Sequence, residues 1–323
     1  MLGKKVQRMK TKIFIDGSEG TTGLRINERF SGRDDIEILS INSELRKDLA
    51  ERKRLINESD ITFLCLPDAA AREAVGLVEN DKVTIIDAST AHRTENGWAY
   101  GLPELSAAHR EAIKKGKRIA VPGCFATGFI SLVYPLVAGD ILPKDYPVSC
   151  FALSGYSGAG KKVIADYESA DRPATYSSGR EYALTQQHKH LKEMQKITGL
   201  ARTPLFSPII DDYYSGMVVS VPLYTDLLKK KETQESLLSY YRGYYHGEKF
   251  IEVSKADDEI AASGFIAGNG LSGWDGLKIY VTGNEERVVL SAQFDNLGKG
   301  ASGAAIQCLN ILLGCEEDKG LVL

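Results

Sequence analysis

Short β-like runs alternate with helix-like ones through the first third of the chain, and that rhythm narrows the fold more than any other feature. The runs are KIFID (12–16), IEILSI (36–41), ITFLCL (61–66), VTIID (83–87) and RIAVP (118–122), with helical patterns over 22–30, 45–57 and 69–79 between the early ones. Strands separated by helices make βαβ units, and so a parallel sheet covered on both faces. After the apolar helical run 125–138 the rhythm changes. SCFALS (149–154) leads into a glycine-rich loop and a long helix expected over 180–196. FSPII, MVVSVPLY, LKIYVTG and RVVLSAQFD then read as strands, the last two joined as a hairpin at Gly283-Asn284. Strands joined by short turns imply a largely antiparallel sheet, hence a second domain of different architecture. The small-residue run GKGASGAAIQCLNILLG is expected to be a helix that packs back on the first domain.

The chain has 323 residues and 43% hydrophobic content, enough for two moderate cores. Lys+Arg 40 and Asp+Glu 43 are well mixed, giving a net charge of -3. No basic block points to nucleic acid and no acidic tail to a charged partner. No apolar run reaches the roughly 18 residues of a membrane span. The basic amino end, MLGKKVQRMK, lacks the apolar stretch of a signal peptide and reads as a short arm. The five cysteines show no zinc or redox spacing, so no metal is expected, and a reducing compartment, the cytoplasm, is.

Gly17, Gly20 and Gly23 of IFIDGSEGTTG follow the first strand and open a helix. Glycine there lets backbone approach a pyrophosphate, and amides at the helix N-terminus meet its charge. The alternative is a tight strand-to-helix turn with no ligand; the strand–loop–helix setting favours a nucleotide. The tip of the second strand reads Ser40-Ile41-Asn42-Ser43, with Arg46 and Lys47 close behind. With no carboxylate at the tip to hold ribose hydroxyls, NADP is favoured over NAD, against the nearby Glu44.

VPGCFATG (121–128) sets Cys124 at a helix start after Pro122-Gly123. Free amides and the helix dipole there favour a thiolate, against the alternative of a buried structural cysteine. A second glycine loop, SGYSGAGKK (154–162), follows the next strand and suits a cofactor or an anionic substrate group. The run EYALTQQHKHLKEM holds His188 and His190 two apart, on different sides of the expected helix, with at most one facing the thiol. Glu193 could orient His190; two surface histidines are the plain alternative. DASTAHR (87–93) brings His92 and Arg93 to the ligand edge, where Arg93 could clamp an anion or form a simple salt bridge.

DGSEGTTG, DASTAHR, YGLPEL, VPGCFATG, SGYSGAGKK, HKHLKEM and DNLGKGASGAA, seven motifs in order over nearly the whole chain, together resemble the N-acetyl-gamma-glutamyl-phosphate reductases of arginine biosynthesis, in their shorter form. Aspartate-semialdehyde dehydrogenase is a relative with a similar plan. The resemblance implies an α/β fold: a Rossmann-type dinucleotide-binding domain over 1–123, completed by the carboxy-terminal helix within 297–323. It implies an α+β catalytic and oligomerisation domain with a largely antiparallel sheet over 124–296, and a homodimer or homotetramer. Cys124 would be the nucleophile, with His188 and His190 as the histidine motif, His188 favoured as proton carrier and the choice left open. Gly17, Ser18, Gly20, Thr21, Thr22 and Gly23 would bind NADP, with Ser154, Gly155, Gly158 and Asn296 near its nicotinamide end. Arg93, Glu181 and Tyr182 would face substrate. The implied reaction is reduction of an acyl phosphate by NADPH through a cysteine thioester. Reductases of other acyl phosphates (aspartyl, N-succinylglutamyl, carrier-bound aminoadipyl) share the chemistry, and an NADP-binding redox sensor is the non-enzyme rival.

Overall fold

The computed structural model describes residues 10–254 and 263–323; residues 1–9 of the expected amino-terminal arm lie outside the described residues. The first sheet contains β1 (Thr11–Asp16), β2 (Ile36–Leu39), β3 (Ile61–Leu64), β4 (Thr84–Asp87), β5 (Ala99–Tyr100) and β6 (Arg118–Ala120). Its order is β2-β1-β3-β4-β6-β5, and every pairing is parallel. The helices α1 (Thr21–Phe30), α2 (Leu49–Glu58), α3 (Asp68–Gly76) and α4 (Ala107–Lys115) accompany it. Strand alternation divides the core. Ile13 and Ile15 pack with Ile26 and Phe30 of α1, whereas Phe14 packs on the other face with Leu55, Ile56 and Ala71. Both faces are therefore covered, as a parallel sheet requires. The two-residue β5 and α4 carried no signal that the sequence reading used.

The second sheet takes β7 (Ser149–Gly155), β8 (Arg180–Glu181), β9 (Leu205–Asp211), β10 (Met217–Tyr224), β11 (Ile251–Val253), β12 (Leu277–Gly283) and β13 (Arg287–Phe294). Its order is β11-β12-β13-β10-β7-β9-β8, antiparallel except for β11–β12 and β7–β9. Asn284 closes the β12–β13 hairpin, its side chain accepting from the amides of Glu286 and Arg287. The helices α5 (Cys124–Ala138), α6 (Lys161–Glu168), α7 (Leu191–Thr198) and α8 (Gln234–Tyr244) belong to this half. Within α5, Pro135 has no N–H to donate to the Ser131 carbonyl. The Tyr245 hydroxyl donates to it instead, at 2.7 Å, and Tyr240 and Tyr241 donate to the carbonyls of Pro135 and Leu132. Thus α8 repairs what proline breaks in α5.

The helix expected over 180–196 is not there. Arg180 and Glu181 pair with β9, the chain then runs irregularly, and α7 begins only at Leu191. Ala183 and Gln186 adopt left-handed backbone (φ 54° and 58°), which no α-helix contains. The Gln186 side chain bonds both the amide and the carbonyl of Phe206, tying the irregular segment to β9.

A five-residue π turn, Gly298–Ser302, runs into the last helix, α9 (Gly303–Leu313). Ala304, Ala305, Ile306, Cys308 and Leu309 of α9 share one cluster with Ile13, Ile15, Ile86 and Ile119 of the first sheet. Cys315 lies just beyond the end of α9. Among the described residues, no helix is long and apolar enough to cross a membrane.

Candidate active site

The carboxyl edge of the first sheet and the rim of the second enclose a cleft of about 290 Å³. β6 stops at Ala120, and Val121-Pro122-Gly123 carries the chain to Cys124, the first residue of α5. Gly123 is required by space. A Cβ there would meet the Arg93 Nη1 atom and lie 2.6 Å from His190 Cε1. The Gly123 amide donates to Glu193 Oε1 at 3.0 Å, which fixes the turn.

Cys124 is half-buried in the cleft. The expectation of a favoured thiolate meets a larger opposing effect. Burial raises the thiol above its ordinary value, although the Phe125 amide, Arg93 and Lys189 pull it down. The resting sulfur is a thiol.

Both histidines line this cleft. Without a helix between them their rings come to 4.7 Å at 83°. His188 Nδ1 accepts from the His190 amide at 3.1 Å, which leaves the neutral ring's proton on Nε2, 3.4 Å from the Tyr182 hydroxyl. Burial first, then Lys189, lowers His188 to about 4. Burial also puts His190 well below the usual range, helped by Arg93, His188 and Lys189, and its Nδ1 has no partner. Tyr182 is raised by burial and by proximity to Cys124.

Glu193 does something the sequence reading missed. It does not bond His190. Its buried carboxylate accepts from the Tyr100 hydroxyl (2.7 Å), the Gly123 amide and Arg93 Nη1 (3.2 Å), joining β5, the thiol turn and the arginine. Arg93 is itself braced, its Nε donating to Val121 O and Nη2 to Ala88 O. His92 turns away, bonded to Asp87 at 2.6 Å and stacked on Trp98. Glu181 sits exposed on β8 and does not line the cleft.

At the other end lies the first glycine loop. Gly17 has φ +87°, and a Cβ on it would strike the Cys65 carbonyl. Gly23 packs so tightly that a Cβ would lie 2.5 Å from Gly17 O. Gly20, Thr21 and Thr22 line the cleft, with Gly17, Ser18 and Gly23 as the frame behind. The N-terminus of α1, uncapped by any side chain and entered through Gly17 and Gly20, fits a dinucleotide pyrophosphate. From the second half, Gly158 and Asn296 line the cleft, and Asn296 donates to Ser157 Oγ and accepts from the Gly216 amide. Ser154 and Gly155 stand behind them, Gly155 against Tyr214. Cys65, Leu66 and Ala88 also reach the cleft. Cys65 follows β3 and is half-buried there.

Residues 9–115 match the family model for the semialdehyde dehydrogenase NAD-binding domain, and 124–296 match that for the semialdehyde dehydrogenase dimerisation domain. N-acetyl-gamma-glutamyl-phosphate reductase 2 of Nostoc sp. is 46% identical over 97% of this chain and 99% of its own. The Burkholderia cenocepacia N-acetyl-gamma-glutamyl-phosphate reductase is 44% identical over 94% and 98%. The chain belongs to the N-acetyl-gamma-glutamyl-phosphate reductase family. It is therefore an enzyme of the semialdehyde dehydrogenase kind, with a nicotinamide cofactor. Solved structures extend the likeness in fold alone. Aspartate semialdehyde dehydrogenase II of Vibrio cholerae is 14% identical with a TM-score of 0.70, over 95% of this chain and 99% of that one. The aspartate semialdehyde dehydrogenase of Francisella tularensis gives 0.71 at 16%, over 94% and 100%.

Proposed function

We propose that this enzyme reduces N-acetyl-L-glutamyl 5-phosphate to N-acetyl-L-glutamate 5-semialdehyde and phosphate, through a thioester on Cys124 and with NADPH. The observation that carries the reading is Cys124 at a helix start, sharing one cleft with two histidines and a dinucleotide cradle. The Cys124 sulfur gives its proton to an imidazole of the pair as it attacks the acyl carbon. The bond to phosphate breaks, and phosphate leaves with the electron pair. The Gly17–Gly23 loop would hold a reduced nicotinamide dinucleotide, which would supply the hydride needed to bring the thioester to the aldehyde level. The Phe125 amide, at the N-terminus of α5, faces the negative charge that develops beside it. His188, whose proton sits on Nε2, protonates the oxyanion, and collapse to aldehyde frees the thiol.

Arg93 and Tyr182 are the substrate contacts in this reading, and Arg46 with Lys47 selects NADP. Tyr224, Phe151 and Leu205 are exposed on the second sheet, and this half matches a dimerisation domain. That face is proposed to pair with another copy in a homodimer or homotetramer. The test runs the reaction backward. Protein given N-acetylglutamate semialdehyde, NADP and phosphate should form NADPH, with no turnover when phosphate is withheld. Cys124→Ser should be folded and inactive; appreciable activity in that variant would end the thioester mechanism.

A further inference from the structure

Residues 100–105, YGLPEL, do no chemistry in the reaction above, yet they wrap the turn that presents Cys124. Each contact reaches the turn from a different side. The Tyr100 hydroxyl donates to Glu193 Oε1 at 2.7 Å, and the same oxygen accepts from the Gly123 amide at 3.0 Å. Gly101 lies against the turn itself: a Cβ there would stand 3.2 Å from Pro122 Cδ and 3.0 Å from the Ala120 carbonyl oxygen. Leu102 and Leu105 are buried in one cluster with Phe125 and Phe129 of α5. Glu104 accepts from the Lys299 ammonium, and the next residue, Gly300, is the one whose added Cβ would come 2.9 Å from the Cys124 Cβ.

Backbone pairing alone does not hold this segment. β5 has two residues and sits at the edge of the first sheet, with Tyr100 opposite Ala120. A strand that short contributes little by itself. Its anchors are the buried polar side chains at either end, Tyr100 and Glu104. Burial first, then the Glu193 charge, pushes the Tyr100 hydroxyl well above its ordinary value, so it stays a donor to that carboxylate.

The grip matters because the cleft is assembled from two halves. The Gly17–Gly23 loop follows β1 of the first sheet, whereas Cys124 opens a helix of the second half, and only Val121-Pro122-Gly123 separates it from β6. A link of that length, at about 3.3–3.6 Å per residue, leaves an unrestrained sulfur free to move by ångströms. A misplacement of about 1 Å costs roughly a hundredfold in rate.

We propose that Tyr100 is a positioning residue for Cys124: through the oxygen it shares with the Gly123 amide it fastens the thiol turn to the first sheet, at a fixed distance from the glycine loop, with Gly101 and Glu104 closing the grip. The inference rests on Cys124 being the nucleophile. Tyr100 acts through Glu193 and touches no reacting atom.

The test is Tyr100→Phe, which removes one oxygen and keeps the ring in its core, with Gly101→Ala as a second route that pushes on Pro122. In the oxidative direction kcat should fall about ten- to a hundredfold in both variants, with the KM values for aldehyde, NADP and phosphate within about threefold. Alkylation by iodoacetamide, followed at each cysteine by mass spectrometry, reads the turn without turnover. In Tyr100→Phe, Cys124 should alkylate about three- to tenfold faster, because a loosened turn relieves the burial that raises its thiol. Cys65, Cys150, Cys308 and Cys315 should react as before. A kcat within about twofold of the unmodified enzyme in both variants overturns the proposal. So does an unchanged Cys124 alkylation rate, or faster alkylation of all five cysteines together, the mark of a generally weakened fold. Unmodified protein that still turns over when fully alkylated at Cys124 would sink the thioester reading, and the alkylation rates would still decide whether Tyr100 holds the turn.

Discussion

At neutral pH the Cys124 sulfur and the His188 ring both rest uncharged, because burial raises the thiol and lowers the imidazole to about 4. A neutral pair avoids holding an ion pair in a half-closed cleft and, in the proposed reaction, separates charge only as the acyl carbon is attacked. The pH dependence follows with a definite sign. His188 becomes a cation only below its lowered value, so activity is present above it and lost as pH falls through about 4. The acid limb of kcat/KM should therefore lie near about 4, and not near 6.5. His188→Asn should remove that limb and lower kcat by about two to four orders of magnitude, the usual reach of general acid–base catalysis. His190→Asn should act more weakly, because its ring packs against Gly123 and supports the thiol turn. The opposite ranking in steady-state kinetics would assign the proton to His190. The thiol was legible in the sequence because Pro-Gly before a helix start is a local pattern. The role of Glu193 was not, since its partners Tyr100, Arg93 and Gly123 lie far off in sequence.

Among the elements, the π turn Gly298–Ser302 supports the site from below. A Cβ on Gly300 would lie 2.9 Å from the Cys124 Cβ. Its neighbour Lys299 is fully buried, its ammonium bonded at 2.6 Å to Glu104 and to Gln307. Lys299→Met leaves the Glu104 charge buried without its partner and should destabilise the fold by about 3–5 kcal/mol in urea unfolding. Adding Glu104→Leu should recover most of that loss; no recovery would mean that the pair does not act as a unit. The strand-two tip makes a separate prediction. Arg46 Nη1 stands 3.3 Å from Glu19 and its Nε donates to Ser43 O, so the cation bridges the glycine loop and the tip. Neutralising Arg46 and Lys47 together should weaken NADP about ten- to a hundredfold and leave NAD unchanged, read by fluorescence titration. Equal affinities for both cofactors in unmodified protein would refute the reading. Long elements with a clear period were legible here. The segment 180–190 was not, because its helical composition is overridden by pairing of Arg180 and Glu181 with β9 and by the Gln186 side chain bonding the Phe206 backbone.

For the molecule as a whole, the alternation of strand and helix predicted the parallel sheet, and hairpin spacing predicted a largely antiparallel second one, without the parallel pairings β11–β12 and β7–β9. The order of strands within the second sheet was not readable. It depends on β7 lying between β9 and β10, which no local pattern announces. The return of α9 to the first sheet was expected from its small residues, and it carries a consequence for how the chain is made. A ribosome delivers β1 through β6 before the whole second sheet, and the residues that fill the middle of one face, Ala304 to Ile311, only after it. While the second half is being synthesised, Ile13, Ile15, Ile86 and Ile119 wait without their final cover. Domains of a growing chain generally fold as they emerge, amino-terminal first. Here the first sheet closes only after the second has been made, and the nascent protein carries a sticky, half-clad sheet until α9 emerges.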